Sequence, residues 1–329
     1  MSAPAESPVE LAERVRAGDR GAVARALNLV DDRRSERREE ALALLDALEG
    51  HARGRRIGIT GAPGAGKSTL LDALATNLRR RGRTIGILAI DPSSRKTGGA
   101  LLGDRFRLGA SARDAGVFLR SLAARDQLGG LSEVTGASLD VLAAAFDTVF
   151  VETVGVGQSE AGIVDLVETL VFVAQPAAGD LVQFMKAGIL EWPDVFFVNK
   201  SDLEGLAGRT AAELRAGLDL GRSEPGEDRP PVLCGSARDG VGIDALIEAM
   251  DRHHASQASS EAGARRRAAG RLARVRTALA LRYGTHGLAR LAEQEPLEAF
   301  VAAHPECAVE RLIERLGRRI EAGGARGDR

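Results

Sequence analysis

One short run constrains the fold of this chain more than any other: Gly61-Ala62-Pro63-Gly64-Ala65-Gly66-Lys67-Ser68-Thr69. It follows the apolar stretch Ile57-Gly58-Ile59 and opens a segment with Leu70, Leu71, Ala73 and Leu74 at helical spacing. An apolar strand that turns through glycines straight into a helix begins a βα unit, and such units build parallel sheets. The glycines let backbone N–H groups turn inward, and the helix N-terminus adds the positive end of its dipole. The result is a cradle for phosphates. Lys67 is placed to reach the β- and γ-phosphates, and Ser68 to ligate magnesium, with Thr69 beside it. The spacing G-x-x-x-x-G-K-S therefore predicts a nucleoside triphosphate site rather than an ordinary strand-to-helix turn.

The rest of the chain agrees with that start. Strand-like runs at Ile57–Ile59, Thr84–Ile90, Val117–Leu119, Thr148–Val151, Leu170–Ala174, Val195–Val198 and Val232–Cys234 alternate with helical stretches. This alternation predicts an α/β fold, a mostly parallel sheet with helices on both faces. Helical extensions are expected at both ends. Leu11 and Val15, then Val23, Leu27 and Val30, recur at helical spacing, and a polar run over 31–40 leads to Leu42, Leu44, Leu45 and Leu48. The Ser-, Ala- and Gly-rich residues 255–263 read as a linker, followed by helical stripes at Leu272, Val275, Leu279, Leu288 and Leu291. The expected division is 1–50, an N-terminal helical segment; 51–254, the nucleotide-binding domain; and 255–329, a C-terminal arm. Its stripes need burial and suggest self-association.

The base is read further along. Asn199-Lys200-Ser201-Asp202 closes the apolar strand Val195-Phe196-Phe197-Val198. A carboxylate at Asp202 accepts from two guanine donors, the ring N–H and the exocyclic amine, a pair that adenine does not offer. Asn199 can tie this loop to the phosphate loop or the base, and the Lys200 stem can cover the ring face. Ser236-Ala237, followed by Arg238, comes after Pro231-Val232-Leu233-Cys234 and fits a loop whose backbone N–H meets the guanine carbonyl. The chain is rich in arginine, yet two of its four lysines, Lys67, Lys96, Lys186 and Lys200, fall at these nucleotide positions.

Composition bounds the partners. A net charge of −1 argues against nucleic acid held by bulk electrostatics. Arg265-Arg266-Arg267 reads as a solvated helix start, since acidic residues follow it throughout. Two cysteines, Cys234 and Cys307, provide neither a disulfide framework nor metal spacing, so a reducing cytoplasm is expected, with Cys234 in the core. His253-His254 lacks a third metal ligand at usable spacing. No signal peptide or membrane-spanning run is visible.

Two further stretches carry chemistry. Asp91-Pro92-Ser93-Ser94 follows the strand ending at Ile90, and Gly98-Gly99-Ala100-Leu101-Leu102-Gly103-Asp104-Arg105 comes soon after. A carboxylate at a strand end beside the phosphates can hold magnesium directly or through water. Glu152-Thr153-Val154-Gly155-Val156-Gly157-Gln158-Ser159-Glu160 pairs an acid with a glycine three residues on. In GTPases that pairing senses the metal and the γ-phosphate, so that hydrolysis releases the loop. Together with Gly61–Thr69 and Asn199–Asp202, these stretches resemble the methylmalonyl-CoA mutase-associated GTPases of the MeaB/ArgK group. The block from Glu152 to Glu160 is the most specific part of the likeness.

The resemblance implies a GTPase, slow alone and stimulated by its partner. Members of the family are cytoplasmic or mitochondrial homodimers joined through their C-terminal helices, so a cytoplasmic homodimer is expected here. It would gate cofactor loading and protection of an adenosylcobalamin-dependent acyl-CoA mutase. By residue it assigns Lys67, Ser68 and Thr69 to phosphates and magnesium, and Asp91, Asp104 and Glu152 to the metal and switch shell. Asp202 with Ser236-Ala237 is assigned to guanine, and Gln158 is a candidate for positioning the attacking water. Mg2+ and GTP or GDP are the implied ligands. Departures from the family pattern fall at Gly179-Asp180-Leu181-Val182-Gln183-Phe184, at Phe106 and at Arg120-Ser121-Leu122-Ala123. Two alternative functions are a small-molecule (arginine/ornithine transport) kinase and a nickel-insertion GTPase. The first needs a catalytic base and an acceptor pocket that no motif announces. The second needs Cys or His ligands near the nucleotide, and neither Cys234 nor His51 has such a cluster.

Overall fold

The computed structural model describes residues 6–92, 109, 111–124, 133–153, 162–176, 189–203, 205–220 and 229–327. The chain forms two compact units, Arg55–Leu131 with Asp147–Glu261, and Met1–Gly54 with Ser132–Phe146 and Ala262–Arg329.

The first unit contains the sheet. Its strands are β1 (Arg55–Thr60), β2 (Ile85–Pro92), β3 (Val117–Ala124), β4 (Thr148–Glu152), β5 (Thr169–Ala174), β6 (Val195–Val198) and β7 (Val232–Cys234). All pair in parallel, in the order β3-β2-β4-β1-β5-β6-β7. The central strands are apolar throughout because both of their faces are covered. Ile57, Ile59, Phe150, Val171, Val173, Val195 and Phe197 share one cluster with Leu70, Leu71, Leu74 and Leu78 of α4 (Lys67–Arg80), and with Leu246, Ile247 and Met250 of α7 (Ile243–Ser259). One residue out of step, Phe172, Ala174, Phe196 and Val198 turn to the other face. There they meet Ala207, Ala211 and Leu214 of α6 (Leu206–Leu220). All seven strand-like runs in the sequence are strands of this sheet.

Cys234 departs from its predicted core position. It ends β7, which among the described residues pairs only with β6, and the residue is exposed, its Sγ 3.8 Å from the Ala207 carbonyl oxygen. An apolar run at a sheet edge lacks a covering layer on one flank. His253 and His254 are committed to protein partners. The Nδ1 of His253 lies 2.9 Å from Thr169 Oγ1 and its Nε2 3.2 Å from Asp194, while His254 pairs with Glu168 at 3.3 Å.

The second unit is helical: α1 (Pro8–Arg16), α2 (Arg20–Asp31), α3 (Ser35–Leu48), α5 (Glu133–Ala145), α8 (Glu261–Ala292), α9 (Leu297–Ala303) and α10 (Val309–Gly327). A reciprocal Ser7–Glu10 capping box starts α1, and Asp19 caps α2 through the Ala22 N–H. Leu11, Val15, Val23, Leu27, Leu42, Leu44, Leu45 and Leu48 are buried, as their spacing predicts. The polar run over 31–40 is shorter as a connection than expected, because α3 already begins at Ser35.

Two expectations for the C-terminal part require correction. Residues 255–263 are not a loop: α7 runs to Ser259 and α8 starts at Glu261, with Ser260 alone extended between them. The stripe proposed for a dimer arm is covered within the chain. Val275, Leu279 and Leu291 are buried against Leu297, Phe300, Leu312, Ile313 and Leu316, and Leu272 and Leu288 pack on that cluster. Burial of these leucines therefore gives no reason for a dimer.

A charge network lies inside the second unit. Arg274 Nη2 donates to Asp140 Oδ2 at 2.7 Å and to Glu310 Oε1 at 3.0 Å, and the other oxygen of Glu310 is buried with no hydrogen-bond partner among the described residues. Arg38 and Arg282 pair with Glu133 and Glu314 in the same network. Burial pushes the Glu310 carboxyl up to about 7, against the pull of Arg274 and with the help of Asp140. A folded-state value raised above the unfolded 4.5 stabilises the fold at low pH, and that stability is lost as pH rises through about 7. Glu310→Gln, which cannot ionise, should match the parent near pH 4.5 and become the more stable of the two as pH rises through about 7. Denaturant titrations of both proteins on either side of that pH check this. A difference that does not change with pH would contradict it.

Candidate functional site

The C-terminal ends of parallel strands face the crevice in which open α/β sheets bind ligands. Here β1 lies between β4 and β5, with Ile59 opposite Glu152 and Thr60 opposite Phe172. The loops after β1, β6 and β7 meet at that end, beside the end of β4.

The loop after β1 depends on two glycines. Gly61 has φ 136° and lies so close to the Val173 carbonyl oxygen that no side chain fits. Gly66 has φ 88° and caps α4, and a Cβ there would fall 2.5 Å from Asn199 Nδ2. Both need the left-handed freedom of glycine as well as the space. The side chain of Lys67, 7% exposed, folds back over the loop, and its Nζ donates to Gly61 O at 2.9 Å and Ala62 O at 3.1 Å. Ser68 Oγ donates to Glu152 Oε1 at 2.8 Å, so the first turn of α4 and the end of β4 meet through two oxygen groups. Behind them, Thr153 and Thr60 are buried and share a hydrogen bond of 3.2 Å.

Asn199 joins three loops. It is 3% exposed, its Nδ2 donates to Ala65 O at 2.9 Å, and its Oδ1 accepts from the Ala237 N–H at 2.9 Å. Lys200, the only non-glycine with positive φ among the described residues (58°), donates through Nζ to Gly64 O at 2.7 Å and to Gln175 Oε1 at 2.9 Å. The Asp202 carboxylate lies 3.0 Å from Ser236 Oγ and 3.0 Å from Arg238 Nη2. Ser236 and Val241 bridge the base of the turn that carries Ala237, Arg238 and Asp239.

The structure thus brings together Gly61 to Thr69, Glu152, Asn199, Lys200, Asp202, Ser236, Ala237 and Arg238. Asp91 is the second-last residue of β2, and its side chain lies outside the described residues, as do Asp104, Gln158, Phe106 and residues 179–184. Two contributors were missed in the sequence. Gln175 follows β5 and holds Lys200, and Asp239 binds Ser236 and Arg238. A polar residue directly after an apolar strand was the available signal for Gln175. The run Ser236-Ala237-Arg238-Asp239 offered an equivalent one for Asp239.

Among the described residues no helix is long and apolar enough to cross a membrane, and no group of three His, Cys, Asp or Glu could hold a metal. The solved structure of an LAO/AO transport system kinase superposes with a TM-score of 0.70 at 25% identity, covering 98% of this chain and 100% of that one. A GTPase-designated protein of Pyrococcus horikoshii is 46% identical over 74% of this chain and 77% of its own length. The GTPase ArgK of Escherichia coli is 37% identical over 73% of this chain and 74% of its own. The methylmalonic aciduria type A homolog of Mus musculus, a mitochondrial protein, is 35% identical over 76% of this chain and 64% of its own. Residues 23–282 match the family model described as methylmalonyl Co-A mutase-associated GTPase MeaB. With a P-loop fold, loops meeting where a guanine nucleotide is expected, and a match over most of its length, this chain belongs to the MeaB family of GTPases.

Proposed function

We propose that this chain is a guanine-nucleotide switch whose GTP hydrolysis gates cofactor loading and protection of an adenosylcobalamin-dependent acyl-CoA mutase. The observation that supports the nucleotide part most strongly is Asn199. One buried amide ties the phosphate loop at Ala65 to the Ser236-Ala237 loop, so the two ends of a nucleotide would be gripped by one connected frame. Within it, backbone N–H groups and Lys67 take the phosphates, Asp202 takes the ring N–H and exocyclic amine, and the Ala237 loop takes the guanine carbonyl.

The oxygen donors Ser68 and Glu152 suit a hard divalent cation such as Mg2+, with Asp91 and Asp104 as further candidate ligands, direct or through water. Bound there, magnesium would neutralise charge on the phosphates. The chain's own contribution is to hold the phosphate chain in line, with Gln158, which lies outside the described residues, as the candidate for positioning the attacking water. These residues provide positioning and electrostatics, which suffice for slow hydrolysis.

The mutase partner is supported by the family's description, and self-association by resemblance to the family. The likeness to an LAO/AO transport system kinase supports a second reading, phosphoryl transfer to a small basic metabolite. Incubation with GTP and arginine or ornithine separates the two: the switch releases inorganic phosphate and leaves the amino acid unmodified. Leu181 and Phe184 make their stretch more apolar than the usual Glu-containing version, so we expect preference for a dedicated mutase with a matching apolar patch. GTP hydrolysis should be slow alone and rise with a mutase encoded beside this chain. A standard methylmalonyl-CoA mutase should stimulate it less, and Leu181→Glu should abolish the preference. Equal stimulation by both enzymes would contradict the specificity.

A further inference from the structure

Two carboxylates compete for one proton at the base-reading end of the site. Ser236 has a single hydroxyl hydrogen, and its Oγ lies 2.7 Å from Asp239 Oδ2 and 3.0 Å from Asp202 Oδ1. The Asp239 backbone N–H, at 3.3 Å, donates back to the same oxygen and so holds Asp239 close. The nearer acceptor has first claim, which leaves Asp202 without a secure donor from Ser236. Arg238 makes up the shortage. Its Nη2 lies 3.0 Å from Asp202 Oδ2, and its Nε donates to Asp239 Oδ1 at 3.1 Å, so one guanidinium spans both carboxylates.

We infer that Arg238 is a positioning residue for guanine selectivity: by bridging Asp202 and Asp239 it fixes the plane of the Asp202 carboxylate. This rests on the guanine reading of Asp202. An ionised carboxylate has about four acceptor positions, two on each oxygen. The Arg238 charge lies against Oδ2 and the Ser236 hydroxyl oxygen beside Oδ1, so with the carboxylate held in this plane both oxygens keep acceptor positions for the two N–H donors of a guanine edge. The bridge also screens the repulsion between Asp202 and Asp239. Without Arg238, Asp202 would be free to turn away from Asp239, and both base contacts would lose alignment together. Arg238 is 72% exposed, so its pairs are worth little to stability, and the effect should appear in binding.

The test compares GDP with IDP, whose hypoxanthine lacks the exocyclic amine, by calorimetry on the full chain. Arg238→Ala should weaken GDP ~2- to 5-fold and shrink its advantage over IDP. Asp239→Asn added to Arg238→Ala removes the competing carboxylate and returns the Ser236 proton to Asp202, so most of the lost selectivity should come back. An Arg238 that merely stacked on the base would not be rescued in this way. An unchanged GDP-to-IDP ratio in Arg238→Ala, or a loss that Asp239→Asn does not recover, overturns the proposal. If the unmodified chain fails to prefer GDP over IDP and ADP, it is the guanine reading itself that fails.

Discussion

Lys67→Ala is expected to remove detectable nucleotide binding, a loss of about 10²-fold or more in affinity. The Lys67 ammonium is buried against the phosphate loop, where it donates to Gly61 O and Ala62 O. Charge-assisted hydrogen bonds are worth roughly 1.5–3 kcal/mol each, and the triphosphate offers this cation more than one. Alanine removes that charge from a site built to hold several negative ones. It also leaves two loop carbonyls without this donor. Titration with a fluorescent GDP analogue measures the effect, and affinity within a few-fold of the parent would show that the phosphates bind elsewhere.

Asp202→Asn should convert a guanine site into one that prefers xanthine. The amide presents a donor as well as an acceptor, which opposes the guanine amine but complements the xanthine carbonyl at the same position. GTP affinity should fall by about 10²-fold, from two hydrogen bonds to a charged acceptor, and xanthosine triphosphate should become the tighter ligand. Competition between the two nucleotides on the variant checks this. If the variant still prefers GTP, Asp202 does not read the base.

Features that rest on local chemistry were legible in the sequence. The Gly61–Thr69 loop announces itself because its glycines, Lys67 and Ser68 act within one turn. The central strands stand out because burial on both faces leaves them continuously apolar, as in Val195–Val198. Features that depend on distant pairing were not. Helix α5 belongs with the terminal helices through pairs such as Arg274–Asp140 and Arg38–Glu133, separated by 134 and 95 residues. No local pattern in α5 records that allegiance. Residues 255–263 carry loop-like composition, yet α7 is anchored upstream by Leu246, Ile247 and Met250 and runs on to Ser259. The leucine stripe after residue 264 signals burial correctly but cannot say against what. The covering side chains, Phe300, Leu312 and Ile313, lie on later helices of the same chain. Cys234 illustrates the same limit at a sheet edge, since an apolar strand does not reveal how many neighbours it has. At the site, Asp202 and Arg238 were legible separately. Their pairing depends on the turn closed by Ser236 and Val241, which brings Asp239 within reach.

The central claim is a guanine-selective nucleotide site at the ends of β1, β4, β6 and β7. Calorimetry of the unmodified chain with GTP and with ATP, each with Mg2+, tests it most directly. The geometry around Asn199, Asp202 and Ala237 predicts GTP bound at least about 10²-fold more tightly, since an adenine would leave the Asp202 carboxylate without its two donors. ATP bound as tightly as GTP would contradict the account.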